Sequence, residues 1–217
     1  MLARRLPVLL AVLLLGLALF VWQLGSTGLV DETPPLFAAA ARAMAETGDW
    51  LTPRVNGLPR YDKPPLVYWL MGLGYLLPGQ ALWNPLGTWA ARLPSALSSL
   101  AVMLLLADTL LRWPQGTRPP RLTAVAAPLA FALSPLVLLW SRIAVSDALF
   151  SGCLAVTLLL FWRVYAADGP AAARPWAAWL VLGLAVLAKG PVALVLCGLC
   201  LGLFAWRSGD GRALLRR

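Results

Sequence analysis

Four places in the 217-residue sequence bring together side chains able to do chemistry: Asp31-Glu32, Asp62-Lys63, Arg142 with Asp147 five residues on, and Lys189 in Lys189-Gly190-Pro191. A carboxylate can take a proton from a hydroxyl nucleophile, which suits Asp31. A lysine can hold a phosphate as a point charge, which suits Lys63. Asp31, Asp62 and Asp147 each abut an apolar run, where ionisable groups are costly and are usually paired or functional. A plainer account stands beside this one. In it Lys63 snorkels its ammonium to lipid headgroups and Asp31 simply ends a helix. Lys189 is open in the same way between a site and topology. Residue chemistry alone leaves both accounts standing.

Other chemistries find no support. The sequence contains no histidine, which removes the usual zinc ligand and the usual general base. Cys197 and Cys200 form a C-x-x-C inside a long apolar run, a setting that suits two small packing residues better than a redox or zinc pair. No metal and no cofactor is expected.

The elements that must position these groups belong to a membrane protein. Sixty per cent of the residues are hydrophobic and 12% charged, with a mean hydropathy of +0.77. A soluble domain carries about 25% charged residues. A soluble globular enzyme, a disordered segment and a disulfide scaffold are excluded. The expected fold is an all-α polytopic membrane protein with about six transmembrane helices. Leu6 to Gly25 reads as an uncleaved first span. Leu66 to Leu77 is too short to cross and reads as interfacial or re-entrant. Further spans are expected over Ser95–Leu111, Leu122–Trp140 and Ala148–Tyr165. The run from Trp176 to Trp206 would measure about 46 Å as one helix, so it is expected to break into two at Lys189-Gly190-Pro191.

With the N-terminus in the cytoplasm, six spans place eleven cations and three acids inside, against seven cations and six acids outside. The net charge of +9 is then topology, by the positive-inside rule, and needs no nucleic acid. Asp108 and Arg112, four residues apart, read as a structural pair on one helix face. Trp50, Trp69, Trp83 and Trp89 read as interfacial anchors before sugar platforms.

Residues 26–65 form the first outer loop. Thr33 can cap a helix beginning at Pro34-Pro35, where missing N–H groups cost nothing, and Gly48 can stop it. Asp49 to Pro65 carries Asn56-Gly57 and four prolines, so turn and extended chain are expected there. The loop thus holds a juxtamembrane helix, with Asp31-Glu32 at one end and Asp62-Lys63 at the other.

The sequence from Asp31 to Leu70 resembles the first periplasmic loop of membrane glycosyltransferases that use polyprenyl-phosphate sugars, the superfamily of protein O-mannosyltransferases and lipid A aminoarabinose transferases. The matching strings are Asp31-Glu32, Ala41-Arg42-Ala43-Met44, Thr47 to Pro53, Asn56-Gly57, Tyr61 to Leu66 and Tyr68-Trp69. Ser141-Arg142 with Asp147, and Ala188 to Pro191, extend the likeness downstream. It departs from many relatives in having Pro34-Pro35 where they have Arg-Tyr.

The resemblance implies an inverting transferase of the GT-C type in a bacterial cytoplasmic membrane, its active site facing the periplasm or exterior. It assigns catalysis to Asp31 with Glu32, and donor phosphate binding to Lys63 and Arg142. Asp62, Asp147 and Lys189 take supporting roles. Asp62 matches a position that is often Glu and sometimes assigned to a metal; with no histidine here, no metal is expected. The partners implied are a polyprenyl-phosphate-linked sugar donor, a lipid, glycan or protein acceptor, and membrane lipids. A missing nucleotide-binding glycine loop agrees with a lipid-linked donor. Family members carry further spans, so residues 1–217 correspond to the N-terminal part of a single GT-C transmembrane domain. The competing classes are a polytopic transporter, which would place charges at mid-membrane in broken helices, and a non-catalytic membrane subunit.

Overall fold

The structure is a computed structural model, and it describes residues 2–114, 116–117, 119–167 and 175–209. The charges of Arg118, Asp168, Arg174, Asp210, Arg212, Arg216 and Arg217, counted above on the inner side, lie outside those residues.

The first apolar run forms α1 (Leu2–Gly16), which loosens into a π-turn over Leu17–Val21 and ends well before Gly25. The outer loop then builds α2 (Thr33–Thr47), a two-residue hairpin of β1 (Arg54–Val55) with β2 (Leu58–Pro59), α3 (Leu66–Tyr75) and the short α4 (Gln80–Trp83). Long α5 (Thr88–Arg112) follows, then α6 (Pro120–Ala132), α7 (Pro135–Trp140), α8 (Ser146–Ala166), α9 (Pro175–Lys189) and α10 (Val192–Ser208).

Three sequence expectations change. Thr33 lies inside α2, and the cap position, Glu32, makes no side-chain capping bond. Helix α5 starts seven residues before Ser95 and carries Pro94 in its interior. The expected Leu122–Trp140 span is two helices, because Pro135 has no N–H to continue the ladder and begins α7 afresh. Other expectations meet their geometry. Gly48 closes α2 at φ +75°, donating its N–H to the Met44 carbonyl. Gly190 breaks α9 from α10 at φ +85°. Of the described helices, α5 and α8 exceed 18 residues and are apolar enough to cross a bilayer; α9 and α10 are apolar but shorter.

Two packed clusters hold the bundle. Val12, Phe20 and Leu24 of the first helix and the turn after it pack on Ala96, Leu100 and Met103 of α5 and Ala132 of α6. Phe37, Ala40, Ala41 and Met44 of α2 pack on Val67, Tyr68 and Met71 of α3, with Leu182 and Ala185 of α9 in the same cluster. The alanines of α2 thus serve close approach to neighbouring protein.

Close approach also defines the α5–α8 seam. A Cβ on Gly152 would stand 2.6 Å from the Ser98 Cβ, and Ser98 Oγ bonds across to the Ala148 carbonyl at 3.2 Å. Small residues that let backbones meet are the usual device where lipid removes the hydrophobic drive between helices. Gly152→Val is therefore expected to cost about 1–3 kcal/mol by overpacking. Thermal unfolding of the variant in detergent measures it, and Gly152→Ala should cost less.

Candidate active site

The route to the site begins where the first helix loses its regularity. Past Leu17–Val21 the chain descends through turns, leaving carbonyls without helical partners. Two arginines from elsewhere in the bundle take them. Arg92, on the second turn of α5, donates Nη1 to the carbonyls of Leu24 (2.7 Å) and Thr27 (3.1 Å) and to Thr27 Oγ1 (3.1 Å), and Nη2 to the Gly28 carbonyl (2.8 Å). Arg142, between α7 and α8, donates to the Leu19 and Trp22 carbonyls, both at 2.9 Å. A guanidinium presents five donors in a rigid fork, which is why one side chain can gather so many acceptors.

This grip delivers Asp31. Its backbone sits at φ +80°, a region that non-glycine residues rarely occupy and that Asp tolerates better than most. Its Oδ1 accepts the Glu32 N–H at 2.8 Å, and both carboxylates are exposed. The chain then enters α2 through Pro34-Pro35.

Asp31 opens onto a cleft of about 520 Å³ walled by Thr33, Pro34, Arg92, Trp140 and Asp147 among others. That volume lies within the roughly 300–1,000 Å³ of small-molecule sites. The cleft brings two predicted residues together, Asp31 and Asp147, and adds Arg92. The sequence reading counts Arg92 only among the outer-face cations, because it expects this helix to begin at Ser95 and the structure begins it at Thr88. Arg142 lines a neighbouring cleft of about 590 Å³, shared with Arg92, Gln23 and Thr27. Arg92 is thus the arginine that faces Asp31.

Asp147 lies in the first turn of α8 and forms an ion pair with Lys189, the last residue of α9. Each charge suits its place, an anion at a helix N-terminus and a cation at a C-terminus. The Lys189 ammonium also stands 5.6 Å from the Phe150 ring centroid. Lys189 therefore meets the site through Asp147.

Asp62 has both oxygens occupied. Arg60 Nη2 donates to Oδ2 at 2.6 Å and the Tyr68 hydroxyl to Oδ1 at 2.9 Å. Arg60 lies 5.9 Å from the Phe37 ring, and Tyr68 is fully buried. Burial first, then the bond to Asp62, pushes the Tyr68 phenol up to about 12. Asp62 is a clasp that ties the loop to α2 and α3. Lys63 beside it is half-buried, forms no ion pair among the described residues and is not among the residues walling the Asp31 cleft. The hairpin between is set by Asn56 and Gly57 at φ +53° and +78°, the pairing that a tight type I′ turn requires. Asp49 begins the loop, its carboxyl held below the usual range by the Thr52 N–H and, less strongly, by the Leu51 N–H.

The tryptophans are structural here. Trp69 donates to the Trp50 carbonyl at 2.7 Å, Trp83 to the Pro78 carbonyl at 2.7 Å, and Trp83 meets Trp89 edge-on at 5.0 Å. Among the described residues, no three His, Cys, Asp or Glu side chains converge to hold a metal ion.

A bundle of apolar helices that gathers carboxylates and an arginine at one end fits the GT-C glycosyltransferase class that the comparisons support. Residues 62–217 match the family described as dolichyl-phosphate-mannose-protein mannosyltransferase, and the chain belongs to that family. The match begins at Asp62, so Asp31 and Glu32 lie before it. The chain is 33% identical over 172 residues to the undecaprenyl phosphate-alpha-4-amino-4-deoxy-L-arabinose arabinosyl transferase of Pseudomonas aeruginosa, covering 76% of this chain and 28% of that one. A protein of Aquifex aeolicus is 30% identical over 190 residues, covering 86% of this chain and 35% of that protein. Crystal structures of ArnT from Cupriavidus metallidurans, in the apo state and bound to undecaprenyl phosphate, superpose with a TM-score of 0.80 at 29% identity, over 93% of this chain and 36% of theirs. The chain spans about a third of the length of the relatives it matches.

Arg92 is expected to be indispensable to this end of the fold. Lysine cannot reproduce the fork over four acceptors, so Arg92→Lys should cost about 1.5–3 kcal/mol, as loss of charge-assisted hydrogen bonds does. The thermal midpoint of the variant checks it. Retention of the wild-type midpoint would show that the grip is dispensable.

Proposed function

We propose that the chain is the N-terminal part of an inverting glycosyltransferase that moves a sugar from a polyprenyl-phosphate donor to a lipid, glycan or protein hydroxyl at the outer face of a bacterial cytoplasmic membrane. The carrying observation is the cleft in which Asp31, Arg92 and Asp147 meet at one end of the helices, in a chain of this family. The neighbour bound to undecaprenyl phosphate supports the class of donor.

The N-terminus lies in the cytoplasm, the helices cross six times, and residues 26–65 form the periplasmic loop that carries Asp31 and Lys63. The cation-rich inner segments support that orientation.

In the reaction the acceptor oxygen attacks the anomeric carbon of the sugar as the bond from that carbon to the phosphate oxygen breaks. Asp31 takes the hydroxyl proton, and Glu32 beside it keeps the local field negative so that the proton is drawn there. Polyprenyl phosphate leaves with the bonding electrons, and its added charge is met by cations already in place. Arg92 is the nearest by geometry, since it shares the Asp31 cleft. Lys63 approaches from the clasped loop, its ammonium without a carboxylate partner. Arg142 adds positive potential from the adjoining cleft. Asp147 and Lys189 hold the far wall by their ion pair.

A transporter would carry its charges at the middle of broken helices. These charges sit at helix ends: Arg92 near the start of α5, Asp147 at the start of α8, Lys189 at the end of α9.

The test is transfer of labelled sugar from polyprenyl-phosphate donors by the purified full-length protein. Asp31→Asn is expected to lower the rate by about 10²–10⁴-fold, the usual contribution of a positioned general base. Lys63→Ala should weaken use of the donor. Wild-type transfer by Asp31→Asn would end the catalytic assignment, and solute uptake into liposomes without any sugar transfer would favour a transporter.

A further inference from the structure

At the end of the bundle away from the cleft, three arginines converge on one carboxylate. Asp108 lies sixteen residues beyond Arg92 on α5, roughly 24 Å along the helix axis. Its Oδ2 accepts from Arg112 Nε at 2.8 Å and from Arg163 Nη2 at 2.7 Å, and Arg5 Nη1 stands 3.8 Å from Oδ1. The cations come from α1, α5 and α8, so the cluster ties three helices together.

The three arginines are not equally committed. Arg163 gives Nε to Thr109 Oγ1 at 2.7 Å and Nη2 also to the Leu105 carbonyl at 3.1 Å, and its side chain is only 17% exposed. It belongs to the scaffold. Arg112 gives only Nε, and its side chain is 45% exposed. Arg5 reaches Asp108 at a distance longer than a hydrogen bond. The fork ends of both point away from full satisfaction.

Among the described residues, one carboxylate against three guanidinium groups leaves a formal surplus of two positive charges. A clamp between helices needs one cation for each carboxylate, so the clamp explains Arg163 and leaves the others over. The level is that of a bilayer interface: Trp113 and Trp162 meet edge-on at 5.7 Å, at the ends of α5 and α8 where interfacial aromatics gather. A phosphodiester is the anion present at such a level in every bilayer. Its two free oxygens fit the guanidinium fork, and basic pockets between transmembrane helices bind anionic headgroups by this chemistry.

We propose that the Arg5–Arg112 edge of this cluster is a binding site for the phosphodiester headgroup of an anionic phospholipid, in the leaflet opposite the Asp31 cleft. Asp108 and Arg163 hold the two arginines in place, and the lipid neutralises what Asp108 leaves over. The site is separate from the sugar-transfer cleft and does not depend on that assignment.

Native mass spectrometry of the full-length protein with equimolar phosphatidylglycerol and phosphatidylcholine tests it. The wild type is expected to retain phosphatidylglycerol about tenfold over phosphatidylcholine, whose choline ammonium cancels the phosphodiester charge that the two arginines would otherwise meet. The double variant Arg5→Gln/Arg112→Gln should lose the preference while keeping its helicity. Arg207→Gln, an exposed cation in the last turn of α10, should keep it. If the double variant melts early, Arg112→Gln alone, at the exposed edge, should lower the preference about threefold. No preference in the wild type, an unchanged preference in the Arg112 variants, or an equal loss in Arg207→Gln would overturn the proposal. Inorganic phosphate at the same concentration should not displace the lipid. Displacement with equal affinity would mean that the site reads free phosphate, and the lipid assignment would fall.

Discussion

The grip of two guanidinium groups on the end of the first helix is the constraint from which the rest of the site follows. Regular hydrogen bonding stops at Val21, ten residues before Asp31. A buried carbonyl left unpaired costs about 1–3 kcal/mol, and Leu24, 1% exposed, carries one that Arg92 satisfies. Arg92 and Arg142 satisfy the carbonyls of Leu19, Trp22, Leu24, Thr27 and Gly28 from two directions. In doing so they fix α1, α5 and the α7–α8 junction relative to one another. The unusual backbone of Asp31 is held because the residues before it are pinned to Arg92 and those after it to the prolines of α2. Surroundings that over-determine a strained residue are what permit the strain to persist.

The same logic of helix ends orders the remaining charge. Asp147 stands at the N-terminus of α8 and Arg163 in its last turn. Lys189 ends α9 and pairs with Asp147, while Arg112 ends α5 and pairs with Asp108. Asp147 near an N-terminus and Arg112, Arg163 and Lys189 near C-termini agree with the helix dipoles, while Asp108, near the end of α5, and Arg92, near its start, are held by their own partners instead. Small residues at the α5–α8 seam, Gly152 against Ser98, let the two helices pack closely.

How much of this was legible in the sequence depends on whether a feature is local. Pro34-Pro35 and Gly48 bound α2, Lys189-Gly190-Pro191 breaks the last apolar run, and Asp108 meets Arg112 one turn on. Each is written within a few residues. The partners of Arg92 and Arg142 are 64 to 123 residues away and are backbone carbonyls, which any residue supplies, so no side-chain pattern announces them. That is why Arg142 reads as a phosphate ligand and Arg92 as a topological charge. The break before Pro135 and the early start of α5 ahead of Pro94 were hidden for the opposite reason. Proline is visible in both cases, and packing decides whether the helix yields to it.

Asp62 and Lys63 show how adjacent residues divide one task. Asp62 is committed to Arg60 and to the buried Tyr68, and it forms no ion pair with Lys63 beside it. Meanwhile the backbone of Lys63 is fixed, because the clasp at Asp62 and the start of α3 at Leu66 hold it on either side. Among the described residues no carboxylate pairs with Lys63, so in the proposed reaction its charge is open to an outside anion.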